Sequence, residues 1–398
     1  MKTVALIDHY HIGHHYAFIK LFAKCILELG YKVYVLYPEK ENEIKEYLIT
    51  EGADPSKVAT QKIQLKKIQV ESFYTNAVST LFLWRDTKKI IKKCEEDSGE
   101  KIDFVFLCWL DDYLSNDLPH QLIDLIIRRP WSGLYFHPWY LLHETTKNRV
   151  TFRSIDSVLR SRYCNSVALH DEFLVSKLAN RINKPVLLFP EIADTTAPLM
   201  KFALADEIKN RAKERIVVGL IGLEKRKGTL FFIEIAKRAN DQNFFFFLAG
   251  KPIKEEYNTV DFEKLSNFLN QNRENILYFP DYVEEGPKLN AVICSLDILF
   301  VLYDNFKSSS NFITKAVFFD KLVIATKNYW IGSVTNKYRI GITVEEGNGI
   351  ESLNALNILR THLINDTWDY SLFAEYKKLH NVNALKKSFE ECLNYVKN

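Results

Sequence analysis

The stretch Val217-Val218-Gly219-Leu220-Ile221-Gly222-Leu223-Glu224-Lys225-Arg226-Lys227-Gly228 constrains the fold more than any other part of this chain. Its apolar run predicts a buried strand, closed by a glycine turn, a basic loop and a second glycine. Thr229 to Arg238 follows with helical spacing. A strand, a glycine-flanked basic loop and a helix together make an anion site. The helix N-terminus carries partial positive charge and free N–H groups, and Arg226 and Lys227 add full charges. The ligand this predicts is a phosphate or diphosphate. Because the unit lies mid-chain, a second nucleotide-type domain is expected to begin near residue 215.

The rest of the chain alternates in the same way. Residues 3–7 predict a strand, followed by the loop Asp8-His9-Tyr10-His11-Ile12-Gly13-His14-His15, a helix over 16–29 and a strand over 31–37, a βαβ unit that implies parallel pairing. Helices are predicted at 40–52, 72–97, 119–129, 151–162 and 172–182, with strands at 102–109, 133–136, 166–169 and 185–189. Residues 191–214 break the pattern and read as the inter-domain connection. Strands then return at 216–222, 244–249, 276–279, 297–302, 322–326 and 341–344, and 351–397 reads as mainly helical. Two successive parallel α/β domains fit two doubly wound Rossmann-like sheets. Ligands of such sheets bind outside the carboxyl ends of the strands, so the loops after strands are expected to line a central cleft.

Composition bounds the answer. The 398 residues suffice for two or three domains, and 47% hydrophobic with 26% charged residues is ordinary for a globular protein with two cores. A net charge of +3 is too small to argue for nucleic acid. Six cysteines without CxxC or Cys/His metal spacing fit inert thiols in a reduced cytosol. No apolar stretch reaches the roughly 18 residues of a spanning helix, and the brief run after Met1, interrupted by Asp8, is unlike a signal peptide. The expected location is cytoplasmic.

Several pieces of the second half resemble the nucleotide-binding domain of GT-B glycosyltransferases, close to glycosyltransferase family 4. Gly222 to Gly228 resembles the family's Gly-Arg…Lys-Gly loop, and Phe244 to Gly250 its apolar strand ending in glycine. Tyr278-Phe279-Pro280-Asp281-Tyr282-Val283, Leu296 to Val301, and Lys315 to Ala325 resemble three further segments in the family's order. The resemblance covers about 215–345. It implies an α/β protein of two doubly wound Rossmann-like domains facing a central cleft, divided as 1–195 on the acceptor side, 196–375 on the nucleotide-sugar side, and a helix over 376–398 packing back on the first domain. It also implies a hexosyltransferase-like enzyme that takes a UDP- or GDP-type nucleotide-sugar as co-substrate and requires no cofactor or metal. One departure matters. The two family glutamates, with seven residues between them, are replaced by Lys307 and Lys315, and a cation cannot accept the ribose hydrogen bonds that a carboxylate does. A degenerate GT-B protein that binds without catalysis is the alternative this departure favours. A nucleotide-sugar epimerase is a weaker one.

Candidate site residues follow from position after strands. Gly222, Arg226 and Lys227 are expected to hold a donor diphosphate, with Gly250, Asp281, Ser309, Ser310, Asn311 and Lys315 as further donor contacts. Gly13 lets backbone approach the donor. His14 is a candidate for the acceptor, His137 for a sugar hydroxyl, and Asp111 for a general base such as inverting transfer requires. Helix capping or a solvated basic turn explains several of these without a ligand. Four histidines between His9 and His15 raise metal binding, but no carboxylate or cysteine set completes a site. Trp84 with the lysines of Lys88-Lys89-Ile90-Ile91-Lys92-Lys93 offers a peripheral contact with anionic lipid at the inner membrane face, suited to a lipid-linked acceptor; a solvated helix face fits the same run.

Overall fold

The computed structural model describes residues 1–11, 15–65, 73–142, 154–239, 242–271 and 273–394. The chain divides into two compact units, Met1–Pro190 with Val382–Asn398, and Glu191–Asn381. Gly13 and His14 lie outside the described residues.

The first unit runs β1 (Thr3–Ile7), α1 (His15–Glu28), β2 (Lys32–Tyr37), α2 (Glu41–Thr50), β3 (Val58–Lys62), α3 (Phe73–Ser98), β4 (Phe104–Leu107), α4 (His120–Ile126), β5 (Trp131–Gly133), β6 (Val167–Leu169), α5 (Val175–Ile182) and β7 (Val186–Leu188). Its main sheet is parallel in the order β3-β2-β1-β4-β5. β6 and β7 pair with each other and reach the main sheet through bridges at Trp131–Cys164 and Leu134–Ala168. β1 and β4 are buried throughout and, Thr3 apart, apolar, as central parallel strands covered on both faces are. The order reverses between β1 and β4, so the loops that follow these two strands meet at the switch point.

The second unit runs α6 (Ala203–Ala212), β8 (Ile216–Ile221), α7 (Thr229–Arg238), β9 (Phe244–Ala249), α8 (Thr259–Leu269), β10 (Ile276–Phe279), α9 (Pro287–Cys294), β11 (Ile298–Val301), α10 (Asn311–Phe318), β12 (Leu322–Thr326), α11 (Tyr329–Lys337), β13 (Gly341–Val344), α12 (Gly349–Asn365) and α13 (Phe373–Leu379). Its six strands are all parallel, in the order β10-β9-β8-β11-β12-β13. Here the switch point lies between β8 and β11. The last helix, α14 (Val382–Asn394), belongs to the first unit. Its Phe389 ring packs on Phe22, Phe106 and Phe189 at 5.2, 5.1 and 4.8 Å.

Several features differ from the sequence-based expectation. Residues 191–214 are not merely a connection: they contain α6, whose Leu204, Ile208 and Ala212 are buried at four-residue intervals. The first unit ends at Pro190 and is rejoined at Val382, not at 195 and 376. Within the expected helix at 151–162, Ile155–Arg160 is a 3-10 turn; residues 151–153 lie outside the described residues. Trp84 is fully buried. Its Nε1 donates to Tyr113 O at 3.0 Å and its ring packs against Tyr113 and Trp131. It therefore cannot contact a membrane, because the apolar face of α3 that carries it is turned into the core.

Candidate functional site

In the second unit, the end of β8 turns through Gly222 at φ +84°, a single 3-10 turn over Lys225–Lys227, and Gly228 at φ +73° before α7 begins. Gly228 is required twice. Its backbone lies in the left-handed region, and a Cβ there would collide with the carbonyl oxygen of Leu302. That close approach seats the loop after β8 against the loop after β11. Asp304 N donates to Arg226 O at 2.8 Å across the same junction. The Arg226 guanidinium lies over the Phe306 ring at 5.2 Å, and the Lys227 ammonium over Phe312 at 5.5 Å.

Lys227 folds back over Gly222, where any Cβ would collide with its ammonium. Its Nζ contacts Ile221 O at 3.3 Å and Glu224 Oε1 at 3.1 Å, and its side chain is only 13% exposed. Burial pulls its pKa below the ordinary lysine value even though Glu224 pulls the other way. Glu224 bridges both cations, pairing with Arg226 through its other oxygen. Burial alone would raise the Glu224 carboxyl, but Lys227 and Arg226 outweigh it and hold the group below the ordinary carboxylate range. A mostly buried lysine at a strand-to-helix turn, beside a second cation, is an arrangement suited to an anion. Gly250, at the end of β9, completes the floor: a Cβ there would sit 3.4 Å from the Gly222 Cα.

The other expected donor residues sort unevenly. Asp281 is exposed at the rim beyond β10, paired with Lys251 at 3.2 Å. Ser309 donates to Glu191, Ser310 is the buried residue preceding α10 with no side-chain cap bond, and Asn311 opens that helix half-buried. Lys315 is displaced from the role expected of it. It is fully buried, and its ammonium is consumed by Asp194 O at 2.7 Å, Asn290 Oδ1 at 2.8 Å and Glu285 Oε1 at 2.6 Å. It ties α10 to α9 and to the segment after Glu191, and presents no charge to a ligand. An open cavity of about 520 Å³ between β13 and α12 is lined mainly by apolar side chains such as Ile342, Ile350 and Ile358, with Glu351 its one titratable group, and belongs to no chemistry-bearing cluster.

In the first unit, the loops after β1 and β4 form a polar and aromatic cluster at the switch point. Asp8 is 1% exposed; its Oδ2 accepts from His15 Nδ1 at 2.8 Å and its Oδ1 from Tyr10 N at 3.0 Å. His9 Nε2 meets Asp112 Oδ2 at 2.9 Å, and the Tyr10 hydroxyl donates to the same oxygen at 2.6 Å. Burial first, then Asp112, raises the Tyr10 pKa and keeps that hydroxyl a donor. His137 Nδ1 lies 3.0 Å from Asp111 Oδ1. Asp111 also accepts from the backbone N–H of Phe136 and of His137, both at 2.9 Å. Its carboxylate is thus a cap that shapes the turn after β5. The Trp109 ring sits among these groups, 4.5 Å from Phe136, 5.0 Å from His15 and 5.2 Å from His137. Among the described residues, no group of three or more His, Cys, Asp or Glu is arranged to hold a metal ion.

Sequence reasoning missed Asp8, Trp109 and Glu224. The signal was available for Asp8, the first polar residue after a buried strand. For Trp109 and Glu224 it was not, because their importance depends on neighbours brought together by folding.

The sequence matches no protein-family model and no curated protein. The fold does match known structures. A glycosyltransferase from Rickettsia africae aligns with a TM-score of 0.69 at 14% identity, over 100% of this chain and 99% of that one. HepE from Anabaena, solved in complex with UDP, aligns at 0.65 and 13% identity over the full length of both chains. Sucrose-phosphate synthase from Thermosynechococcus elongatus aligns at 0.64 and 12%, over 99% of this chain and 98% of that one. The chain therefore has the GT-B fold, α/β with two doubly wound parallel sheets.

Proposed function

We propose that this chain transfers a sugar from a UDP- or GDP-type nucleotide-sugar to a hydroxyl of a glycan, a lipid-linked sugar or a small molecule. The observation that carries this reading is the turn after β8, where Gly222, Arg226, Lys227 and Gly228 place two cations at the switch point of a GT-B second unit. That HepE binds UDP and UDP-glucose on the same fold supports the donor class. Lys227 and Arg226 are assigned to the donor diphosphate, where they stabilise the charge that develops on the leaving group. Gly250 and Asp281 are assigned to the nucleoside, Ser309, Ser310 and Asn311 to the phosphates from the start of α10, Gly13 to the donor and His14 to the acceptor. His137, with Nδ1 held by Asp111, offers Nε2 to a sugar hydroxyl beside the Trp109 ring.

A panel of nucleoside diphosphates and nucleotide-sugars tests the reading by thermal shift, since a ligand that binds only the native state raises the melting temperature. A base-selective rise lost in both Lys227→Ala and Arg226→Gln is expected. No rise with any nucleotide at millimolar concentration sinks the reading. A second reading, binding without catalysis, is favoured by one observation: Glu224 already neutralises both cations. Donor binding with no turnover would select it.

The outer stripe of α3 supports a peripheral contact with anionic bilayers without Trp84. Val78 and Phe82 are exposed next to Arg85, Lys88, Lys89, Lys92 and Lys93 along one helix. Co-sedimentation with phosphatidylglycerol vesicles, lost in Phe82→Asp, is the expected result; equal binding by that variant rules the stripe out.

A further inference from the structure

A sheet edge presents unpaired N–H and C=O groups, and soluble proteins guard it with charge, proline or a covering group. The edges of the two main sheets are not guarded alike. β3 ends in Gln61 and Lys62. At β10 the Arg211 guanidinium donates to Ile276 O at 2.8 Å, and Pro280 follows the strand. β13, Gly341-Ile342-Thr343-Val344, carries neither charge nor proline. Its ladder to β12 uses Ile340 O, which accepts from Val323 N at 3.2 Å, and Val344 O, which accepts from Lys327 N at 2.9 Å. The sides alternate along a strand, so the N–H and C=O of Thr343 point away from β12. No hydrogen bond engages them among the described residues.

The helix beside this edge is α12, and the open cavity of about 520 Å³ runs between the two, bordered by Ile342, Ile350, Asn354 and Ile358. Ile350, Ile358 and Ile364 are 74%, 49% and 57% exposed. The exposed polar residues between them, Asn354, Asn357 and Thr361, are neutral. The charged residues of the helix, Glu351 and Arg360, are half-buried. Glu351 is taken up in the cap, accepting from Asn348 Nδ2 at 3.1 Å and Glu345 N at 3.0 Å. Glu345 is itself paired with Lys327 at 2.8 Å. Single exposed isoleucines need no explanation, but three on one uncharged helix face beside an open strand edge do. Depletion of charge is what distinguishes the centre of an interface from the rest of a surface.

We propose that β13 and α12 form a two-fold interface with a second copy of this chain. The two β13 strands pair antiparallel, Thr343 gives its outward backbone groups to the second copy, and the two six-stranded sheets become one. An axis perpendicular to the sheet keeps both α12 helices on one face, where Ile350 and Ile358 of each copy cover the cavity of the other. The surface chemistry selects a second copy over a different partner. A charge near a two-fold axis meets its own like charge, and this face has none. An amide or a hydroxyl carries both donor and acceptor, so Asn354, Asn357 and Thr361 are each able to pair with themselves. The interface is independent of the transferase reading.

Sedimentation velocity on the full-length protein tests this. At micromolar concentration, where interfaces of standard size hold, the wild type is expected to sediment at twice the 46.5 kDa of one chain. Thr343→Pro removes an N–H that the ladder to β12 does not use, a position where a strand tolerates proline. Ile358→Glu sets like charges face to face across the axis. Each variant should keep a cooperative melt while its dimer dissociation constant rises by about 100-fold or more. Hydrogen exchange reads the same contact without a mutation: the Thr343 amide should exchange slowly in concentrated protein and faster on dilution. Phe82→Asp, on α3 of the first unit, should leave the dimer intact. If one variant does not fold, the other and the Thr343 amide decide. A wild type that stays monomeric throughout the micromolar range overturns the proposal. So does a dimer that a folded Thr343→Pro or Ile358→Glu keeps at wild-type strength, or a Thr343 amide whose exchange ignores concentration.

Discussion

At the residue scale, the most consequential side chain is Glu224. It pairs with both Lys227 and Arg226, so a diphosphate arriving at these cations must compete with a carboxylate that is already ionised. Because its pKa is depressed, Glu224 stays charged throughout the neutral range. Glu224→Gln keeps the shape and removes the charge. Titration calorimetry with the nucleoside diphosphate that gives the largest thermal shift should show about tenfold tighter binding, equivalent to about 1.4 kcal/mol. Weaker binding would mean that Glu224 holds the cations in position rather than competing for them. Lys315 makes the opposite point. Read from the sequence, it is a cation at the place of a ribose-binding glutamate. In the fold it is a buried strut with three oxygen partners. Lys315→Glu, which restores the family residue, would set a buried carboxylate against Asp194 O, Asn290 Oδ1 and Glu285. A loss of about 3–5 kcal/mol of stability is expected in chemical denaturation, the cost of an uncompensated buried charge. A variant that melts like the wild type and binds nucleotide more tightly would return position 315 to the donor site.

At the element scale, the junction that matters is Gly228, where the turn after β8 abuts the carbonyl of Leu302. Gly228→Ala combines a left-handed backbone with a collision against main chain that cannot move aside. A destabilisation of about 1–3 kcal/mol is expected, seen as a lower melting temperature with a reduced nucleotide-induced rise. An unchanged rise would show that the seating of the two loops does not shape the site. How far elements were legible follows from the same physics. β9, β10, β12 and β13 have the bounds predicted for them; for β9 and β12 the reason is that a strand buried on both faces leaves a near-continuous apolar signature, whereas β10 and β13 are half-buried edge strands. β3 was not anticipated: its sequence Val58-Ala-Thr-Gln-Lys62 lies at the sheet edge with one buried residue, and its pairing with β2 supplies what its composition does not. α6 was concealed by the prolines and mixed charge around it, although Leu204, Ile208 and Ala212 carried a helical spacing. The basic turn from Gly222 to Gly228 was legible as a strand-to-helix connection because its signal is local, within seven residues.

At the scale of the whole molecule, the two units are built differently. The second is one continuous segment, Glu191–Asn381, with its own buried core from Leu204 to Tyr376. The first is discontinuous. Leu385, Phe389, Cys392 and Leu393 of α14 are buried, and Phe389 packs against three phenylalanines contributed by α1, β4 and the end of β7. Four buried apolar side chains at roughly 1.5–3 kcal/mol each approach the ~5–15 kcal/mol by which a whole domain is stable. The fragments should therefore behave asymmetrically. Residues 191–381 produced alone should melt cooperatively and keep the nucleotide-induced shift, because the turn after β8 and its partners lie wholly within that segment. Residues 1–190 produced alone should lack a cooperative melt and bind a hydrophobic dye, since Phe22, Phe106 and Phe189 lose their cover. Joining residues 382–398 to residue 190 through a flexible linker should restore folding. A cooperative melt of 1–190 equal to that of the linked form would show that α14 is dispensable to the first unit. Loss of nucleotide binding by a folded 191–381 fragment would show that the cations after β8 do not suffice to hold a donor.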